Sequence, residues 1–310
     1  MMRVAIVASG LSAWLALSGC ARLPPPHVAH RERGEAALAA ASLSSPDGPL
    51  SLPSLSQRIG TSRLVCIGEQ HDDPRHHEVQ HALFEVASLA AERAGAPLAL
   101  GFEMVARGWQ SSLDDHRRGQ LDDPGLERAL EWDRRWGFDF AMYGPLFHSA
   151  HEQKVVTIAL NAPKELTKAV ARGGLEGLPP EVRASLPELD LENENHRRFF
   201  WTAMGFEGEA APPAHGGHGA HAGGAERFYS AQVIWDETMA ESAAAWLQEP
   251  ERRIVVIAGN GHCHRSAVVD RVVRRVDGLT SLSVLLQTGD VDLPPHAVSD
   301  VVVRLAEASP

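Results

Sequence analysis

Short, continuous runs of apolar residues recur along the chain from about residue 52 onward. They lie at 64–67, 98–102, 155–160, 254–258 and 282–286. Unbroken apolar runs of this length are typical of strands that are covered on both faces, because half-exposed strands alternate apolar and polar positions. The pattern therefore predicts an α/β fold with a mainly parallel sheet and helices on its faces.

A helix is predicted between the first two runs, over 74–94. Asp72-Asp73-Pro74 supplies a capping carboxylate and a first-turn proline, and Val79 and Leu83 begin an apolar helical face. A strand, a helix and a strand in this order form a βαβ unit. Longer helical stretches at about 108–153 and 163–250 interrupt the alternation, and we expect these insertions to form a helical cap over the sheet.

The first twenty residues form a segment of a different kind. A short basic start precedes an apolar run that is too short to span a bilayer, and the run ends in Leu17-Ser18-Gly19-Cys20. This ending resembles a bacterial lipobox. The resemblance implies a signal peptide at 1–19, acylation of Cys20 (for example with palmitate) and, because Ala21 follows, sorting to the outer membrane of a Gram-negative cell. The alternative is an ordinary signal peptide with an incidental cysteine.

The remaining chain divides into a predicted tether and a predicted domain. Residues 20–50 are rich in Pro, Ala and Ser and lack a sustained core pattern, so a flexible tether is predicted there. The domain is expected to occupy 51–310. Within it, the Gly- and His-rich segment 210–225 contains too much glycine for a stable helix, and we predict a mobile surface loop.

Composition narrows the classes of function. A formal net charge of −11 argues against nucleic acid as the main partner. The sequence lacks a Gly-x-Ser-x-Gly elbow, a Walker loop and a Cys-x-x-Cys pair. The 16 histidines point to a metal or haem. With Cys20 acylated, Cys66 and Cys263 remain, and because Cys66 lies within an apolar run we expect no disulfide.

Polar clusters follow four of the predicted strands. They begin at Gly68, Phe102, Asn161 and Gly259. The carboxyl edge of an open parallel sheet is where ligands bind, because the loops there converge. Two clusters share the spacing Gly-x-x-His, in which a glycine lets the chain turn tightly and an imidazole follows. We therefore expect the four clusters to surround one cavity.

The residue types in these clusters suit a divalent cation. His71, His262 and Glu103 could supply two nitrogens and a carboxylate to an ion such as Zn, Co or Mn, with Glu69 activating a bound water. The alternative is that these side chains hydrogen-bond the turns of their own loops and bind nothing.

Taken in order, these motifs resemble one known family. The likeness rests on Gly-Glu-Gln-His71-Asp-Asp-Pro, Gly-Phe-Glu103-Met, Asn161-Ala-Pro, the run 231–240 and Gly-Asn-Gly-His262. These segments are similar to the ChaN-like lipoproteins, which are haem-binding uptake proteins. The wider group includes the Tiki metalloproteases, the TraB proteins and the erythromycin esterases. The resemblance covers about residues 52–305 and implies an α/β sheet with a helical cap and a role in haem or iron acquisition at the cell envelope.

The resemblance also implies a haem ligand. Tyrosinate ligation is known in the family, and the chain offers Tyr143 and Tyr229. Tyr143 could equally be a core residue of the cap. Transfer to an outer-membrane haem or iron transport system is expected from the same likeness, and a homodimer is a candidate assembly.

Further residues are candidates on their own chemistry. Imidazoles on a Gly-rich segment bind transition metals readily, so His215, His218 and His221 are candidates for metal or haem, or they belong to an insertion without function. Side chains expected to support the site from behind are His77, Gln80, Asn161 and Asp236. Two functions of different class result: haem or iron binding, and a metal-dependent hydrolase acting on a peptide, ester or lactone with Glu69 as its base.

Overall fold

The computed structural model describes residues 24–204, 220–289 and 299–307. One sheet runs through them, and its strands are β1 (Ser42–Ser45), β2 (Gly48–Pro49), β3 (Leu64–Glu69), β4 (Leu98–Ala106), β5 (Val156–Asn161), β6 (Arg253–Gly259), β7 (Ser281–Thr288) and β8 (Val301–Leu305). Their order across the sheet is β2-β1-β8-β7-β3-β6-β4-β5. Neighbours from β8 to β5 pair in parallel, whereas β1 is antiparallel to β2 and β8. The predicted mainly parallel sheet is confirmed.

Helices occupy the crossovers between these strands. They are α1 (Pro26–Ala40), α2 (Leu52–Thr61), α3 (Pro74–Ala94), α4 (Gln110–Arg117), α5 (Asp123–Ala129), α6 (Trp132–Arg135), α7 (Phe140–Glu152), α8 (Lys164–Gly173), α9 (Pro180–Ala184), α10 (Glu194–Ala203), α11 (Ala220–Leu247), α12 (Asn260–Cys263) and α13 (Asp270–Val273). Two 3-10 turns (Arg107–Trp109, Leu175–Gly177) and a π-helical segment (Arg265–Val269) complete them. The predicted insertions are α4 to α7, between β4 and β5, and α8 to α11, between β5 and β6.

The sheet separates two apolar layers. On one face Val65 and Phe102 pack with residues of α3 and α7. On the other face Leu64 and Val256 pack with residues of α11 and the segments after β6. Successive residues of a strand point to opposite faces, so a strand covered twice needs apolar residues at every position. This explains the unbroken apolar runs of the sequence.

The predicted tether is wrong from Pro26 to Pro49. Helix α1 packs along α3 with Leu38 and His30 buried, and β1 pairs with β8. The contact is close because Gly34 has no side chain, since a Cβ there would lie 1.8 Å from the carbonyl oxygen of Glu78. A close helix contact of this kind depends on small residues. It therefore does not produce the apolar stripe by which a packed helix is recognised in a sequence. The predicted signal peptide at 1–19 and Cys20 lie outside the described residues.

The Gly- and His-rich segment is only partly described. Residues 205–219, with His215 and His218, lie outside the described residues, as does the side chain of His221. The loop prediction is wrong for 220–225, which form the first turns of α11. Extending an existing helix is far less costly than nucleating one. The packed part of α11 can therefore be extended at its start through residues of low helix propensity. In the described part of the chain, no helix has the length and apolar character needed to cross a membrane.

Cys66 and Cys263 form a disulfide, contrary to the prediction. Their Cα atoms lie 5.3 Å apart, and both residues are fully buried. Cys66 stands in the middle of β3, and Cys263 ends α12, which follows the neighbouring strand β6 and turns back over the sheet. The prediction failed because the apolar run around Cys66 indicates that this residue is buried but does not indicate which residue packs against it.

Two pairs of histidines join α1 to its neighbours. Nδ1 of His30 lies 3.1 Å from Nδ1 of His81 on α3, and His27 stacks on His148 of α7 with ring centroids 4.1 Å apart. Burial lowers the pKa of His30 to about 3, and the charges of His81 and Arg33 act in the same direction. The neutral form of His30 therefore belongs to the docked helix.

We expect the docking of α1 to weaken in acid. The unfolded chain binds the His30 proton more tightly than the folded chain does. The contribution of neutral His30 to the free energy of unfolding is therefore fully present above pH ~6.5 and falls as the pH drops toward ~3. Allowing for solvent screening, the His30 contribution lost between pH 7 and pH 5 is about 1 kcal/mol. Urea denaturation at both pH values measures it. His30→Gln should show a loss smaller by that amount, and an equal loss in the two proteins would contradict the assignment.

Candidate functional site

A cavity of about 530 Å³ opens at the carboxyl edge of the sheet, beyond β3, β4, β5 and β6. His71, Glu103 and His262 lie at its sheet side. The pairing of β3 with β6 places Gly68 beside Ala258 and Glu69 beside Gly259, so the two Gly-x-x-His segments leave the sheet at the same level. This register brings two distant imidazoles into one cavity.

The rest of the wall comes mainly from the inserted helical regions. Trp136, Phe138 and Trp235 provide aromatic surface. The opposite character is supplied by four cationic side chains: Arg134, Arg135, Lys164 and Lys168. The cavity therefore has an aromatic wall and a basic edge, a term used below for these four cations.

His262 lies between two buried carboxylates. Its Nε2 is 3.2 Å from Oε1 of Glu103, and its Nδ1 is 2.6 Å from Oδ1 of Asp236. The backbone N–H of Gly259 also donates to Oε2 of Glu103 at 2.7 Å. Burial alone would lower the pKa of His262, but Glu103 and Asp236 raise it well above its ordinary value. The imidazole is thus a buried cation at neutral pH.

Asp236 is the centre of this charge network. The carboxylate is fully buried on α11 and also accepts from Nε2 of His196 at 2.9 Å. Burial opposes its ionisation, yet His262 and His196 hold the pKa of Asp236 far below its usual range. In the same way His262 holds the pKa of Glu103 below its usual range.

Of the two histidines that line the cavity, His71 has the more exposed side chain. Its side chain is 31% exposed, against 10% for His262. Nδ1 of His71 lies 2.6 Å from Oε1 of Glu69, and the ring contacts Trp136 edge-on at 4.8 Å. Gly259 makes room for the ring, since a Cβ there would lie 2.8 Å from Cε1 of His71.

Glu69 lies behind His71 and does not line the cavity. The hydroxyl of Tyr143 donates to its Oε1 at 3.0 Å, and Nδ1 of His77 lies 2.6 Å from its Oε2. Burial would raise the pKa of Glu69, but the hydrogen bonds of His71 and His77 hold it below its usual range. The carboxylate is therefore ionised and already bound by protein groups, which leaves it poorly placed to activate a water in the cavity.

The three predicted metal ligands share one cavity, but the geometry does not support the predicted cation site. Among the described residues, no group of three His, Cys, Asp or Glu side chains is arranged to hold a metal ion. Glu103 accepts from Gly259 and His262, and both nitrogens of His262 face carboxylates. The oxygens of Glu103 and the nitrogens of His262 are thus already engaged by groups of the protein.

The predicted supporting residues lie where they can act on this framework. His77 contacts Glu69, and the amide of Gln80 donates to the carbonyl oxygen of Ile67 in β3 at 2.9 Å. The amide of Asn161 donates to the carbonyl oxygen of Glu103 at 2.9 Å, and Asn161 itself lines the cavity.

Neither predicted tyrosine lines the cavity. Tyr143 and Tyr229 are fully buried, and burial raises the pKa of both hydroxyls above the ordinary value. Tyr143 donates to Glu69, and the hydroxyl of Tyr229 lies 3.1 Å from Nδ1 of His196. Both hydroxyls are held in protein contacts and resist ionisation, so this structure does not present a tyrosinate to the cavity.

The aromatic wall and the basic edge were not predicted from the sequence. One signal was available in the sequence. Lys164 comes directly after the Asn161-Ala162-Pro163 cluster, and Lys168 follows Lys164 at the spacing of one helical turn. No sequence pattern indicated that Arg134 and Trp136 line the cavity, because their positions depend on how α6 packs over the sheet.

Comparisons with known proteins agree with this architecture. A family model described as haem-binding uptake, Tiki superfamily, ChaN matches residues 55–272. A solved structure described as cofacial heme binding to ChaN of Campylobacter jejuni has a TM-score of 0.65 at 15% identity, covering 85% of this chain and 96% of that one. An erythromycin esterase in its open conformation has a TM-score of 0.45 at 11% identity, covering 86% of this chain and 83% of that one. No curated protein matches the sequence.

Proposed function

Because the chain belongs to the haem-binding uptake family of the Tiki superfamily, we propose that the cavity at the sheet edge binds haem as cargo. The observation that carries the proposal is the composition of the cavity wall. A haem pocket needs an apolar slot for the macrocycle and donors for two propionates. Here the slot is lined by Trp136, Phe138 and Trp235, and the donors are the four cations of the basic edge.

The basic edge stands out against the charge of the whole protein. The chain has a formal net charge of −11, so a group of cations at one cavity needs a local reason. Arg135 stacks over Trp109 at 4.1 Å, and Arg134 and Arg135 both contact Glu131, which fixes their position. Lys164 and Lys168 lie exposed on α8, one turn apart, where they can follow a carboxylate. Glu165 also lines this part of the cavity and offsets part of the positive charge, but the four cations still give the edge a charge opposite in sign to that of the two propionates of haem.

The place of action is also part of the proposal. The lipobox-like segment ending in Cys20 supports an acylated protein held at the cell envelope, on the outer membrane. Its cargo passes to an envelope transport system for haem or iron. A metal-dependent hydrolase is the less favoured function, because the described cavity residues do not form an ion site and Glu69 lies behind His71.

A hemin titration tests the proposal. We expect saturable binding to the purified protein, seen as a shift of the Soret band. Lys164→Gln combined with Lys168→Gln should weaken binding about 2- to 30-fold, because each exposed ion pair contributes about 0.2 to 1 kcal/mol. The weakening should shrink at high salt, which screens exposed charges.

Lys154→Gln is the matched control. Lys154 is the remaining lysine of the chain, and it lies outside the cavity. The control should bind hemin like the unchanged protein. Absence of saturable binding would overturn the proposed function, and equal affinities in all three proteins would show that the propionates do not contact the basic edge.

A further inference from the structure

We propose that the iron of the bound haem is ligated by Nε2 of His71, held in place by Glu69, and not by a tyrosinate. The inference rests on the proposed function and names the side chain that binds the haem iron. It follows from comparing the two histidines that line the cavity with the two tyrosines of the described chain.

His71 has the arrangement expected of an iron ligand. A histidine that binds a metal through one nitrogen usually donates its other ring N–H to a carboxylate, which fixes the tautomer and the ring orientation. Nδ1 of His71 lies 2.6 Å from Oε1 of Glu69, so in the neutral ring the proton belongs on Nδ1 and Nε2 carries the free electron pair. Among the described residues no hydrogen bond reaches Nε2.

The surroundings hold the ring in this orientation. Trp136 meets the imidazole edge-on at 4.8 Å, and Phe138 lies 5.3 Å from it. Both aromatic rings also line the cavity, so they border the space that a macrocycle bound to His71 would fill. Gly259 completes the fit, because any larger residue would push against Cε1 of the ring.

The other histidine of the cavity and the two tyrosines are occupied. His262 has Asp236 on one ring nitrogen and Glu103 on the other, so both nitrogens are engaged within the protein. The hydroxyls of Tyr143 and Tyr229 are buried away from the cavity. Tyr143 instead donates to Glu69, which makes it a positioning residue for the His71 carboxylate partner.

Hemin titrations with spectroscopy of the iron test the assignment. The unchanged protein should show an iron–histidine stretch in the resonance Raman spectrum of its ferrous complex and lack a tyrosinate signature in the ferric one. His71→Gly should lose that stretch and raise the hemin Kd at least about 10-fold. Added imidazole should restore the stretch in His71→Gly, which shows that the variant is folded. Tyr229→Phe should keep it.

The outcomes separate the two proposals. If the unchanged protein binds hemin but His71→Gly keeps its spectrum and Kd, the assignment of His71 is overturned and haem binding stands. Loss of the iron signature in Tyr143→Phe or Tyr229→Phe, with His71→Gly unaffected, likewise overturns it in favour of tyrosinate. If the unchanged protein binds no hemin, the proposed function falls and the ligand assignment falls with it.

Discussion

Replacing Cys66 and Cys263 together by alanine is expected to lower the free energy of unfolding by about 3 to 5 kcal/mol. The disulfide closes a segment with a sequence separation of 197 residues, which includes most of the helices, so its loss frees a large part of the unfolded chain. Both sulfurs are fully buried between β3 and α12, and removing them also leaves small voids. Chemical denaturation of the oxidised protein and the variant measures the difference.

Reduced wild-type protein is the control for this pair of substitutions. It lacks the crosslink but keeps both sulfur atoms, so it isolates the effect of the covalent bond from the effect of packing. We expect it to fall within about 2 kcal/mol of the variant, since the variant lacks two buried sulfur atoms and each small buried group contributes about 1 kcal/mol. A variant that unfolds at the same denaturant concentration as the oxidised protein would show that the bond contributes nothing.

Asp236→Ala is expected to cost a similar amount, about 3 to 5 kcal/mol. The substitution leaves His262 and His196 buried without the carboxylate that both of them contact. Asp236→Asn should cost less, because it keeps the shape and one acceptor while removing the charge. Glu241→Ala is the matched control on the same helix, since Glu241 is 47% exposed and pairs with Arg107 at the surface. Its effect should stay below about 1 kcal/mol.

The effect of Asp236 depends on pH in a definite direction. Its folded pKa lies below the unfolded value, so its stabilisation is present above pH ~4 and is lost as the pH falls further. The gap between the unchanged protein and Asp236→Asn should therefore narrow in acid. A cost for Asp236→Ala no larger than for Glu241→Ala, or a gap that widens as the pH falls, would contradict the assigned network.

Much of the fold could be predicted from local patterns. The apolar runs at 64–67 and 254–258 became neighbouring strands, and Asp73 and Gly95 begin and end α3 as their residue types suggest. The segment 26–49 was missed because α1 docks through histidines and a glycine rather than through an apolar stripe. The disulfide was missed because it joins segments that only the complete sheet brings together.

The candidate site could be predicted in part for the same reason. Strand ends carry positional information, so His71, Glu103 and His262 were expected around one cavity, and the structure places them there. The sequence could not show that the hydrogen-bonding capacity of Glu103 and His262 is used within the protein, or that Tyr143 turns inward to Glu69. Those facts depend on side-chain direction, which the residue type alone does not determine.

The antiparallel contact between β1 and β8 has a consequence for how the chain matures. Ser42 pairs with Arg304, about 260 positions further along. A ribosome delivers β1 early, and its partner β8 only after β3 to β7 have been made. Contacts this distant in sequence form slowly, because a long loop must close first. That flank of the sheet is therefore expected to close last, and β7 is the nascent edge that a chaperone would need to shield from aggregation in the meantime.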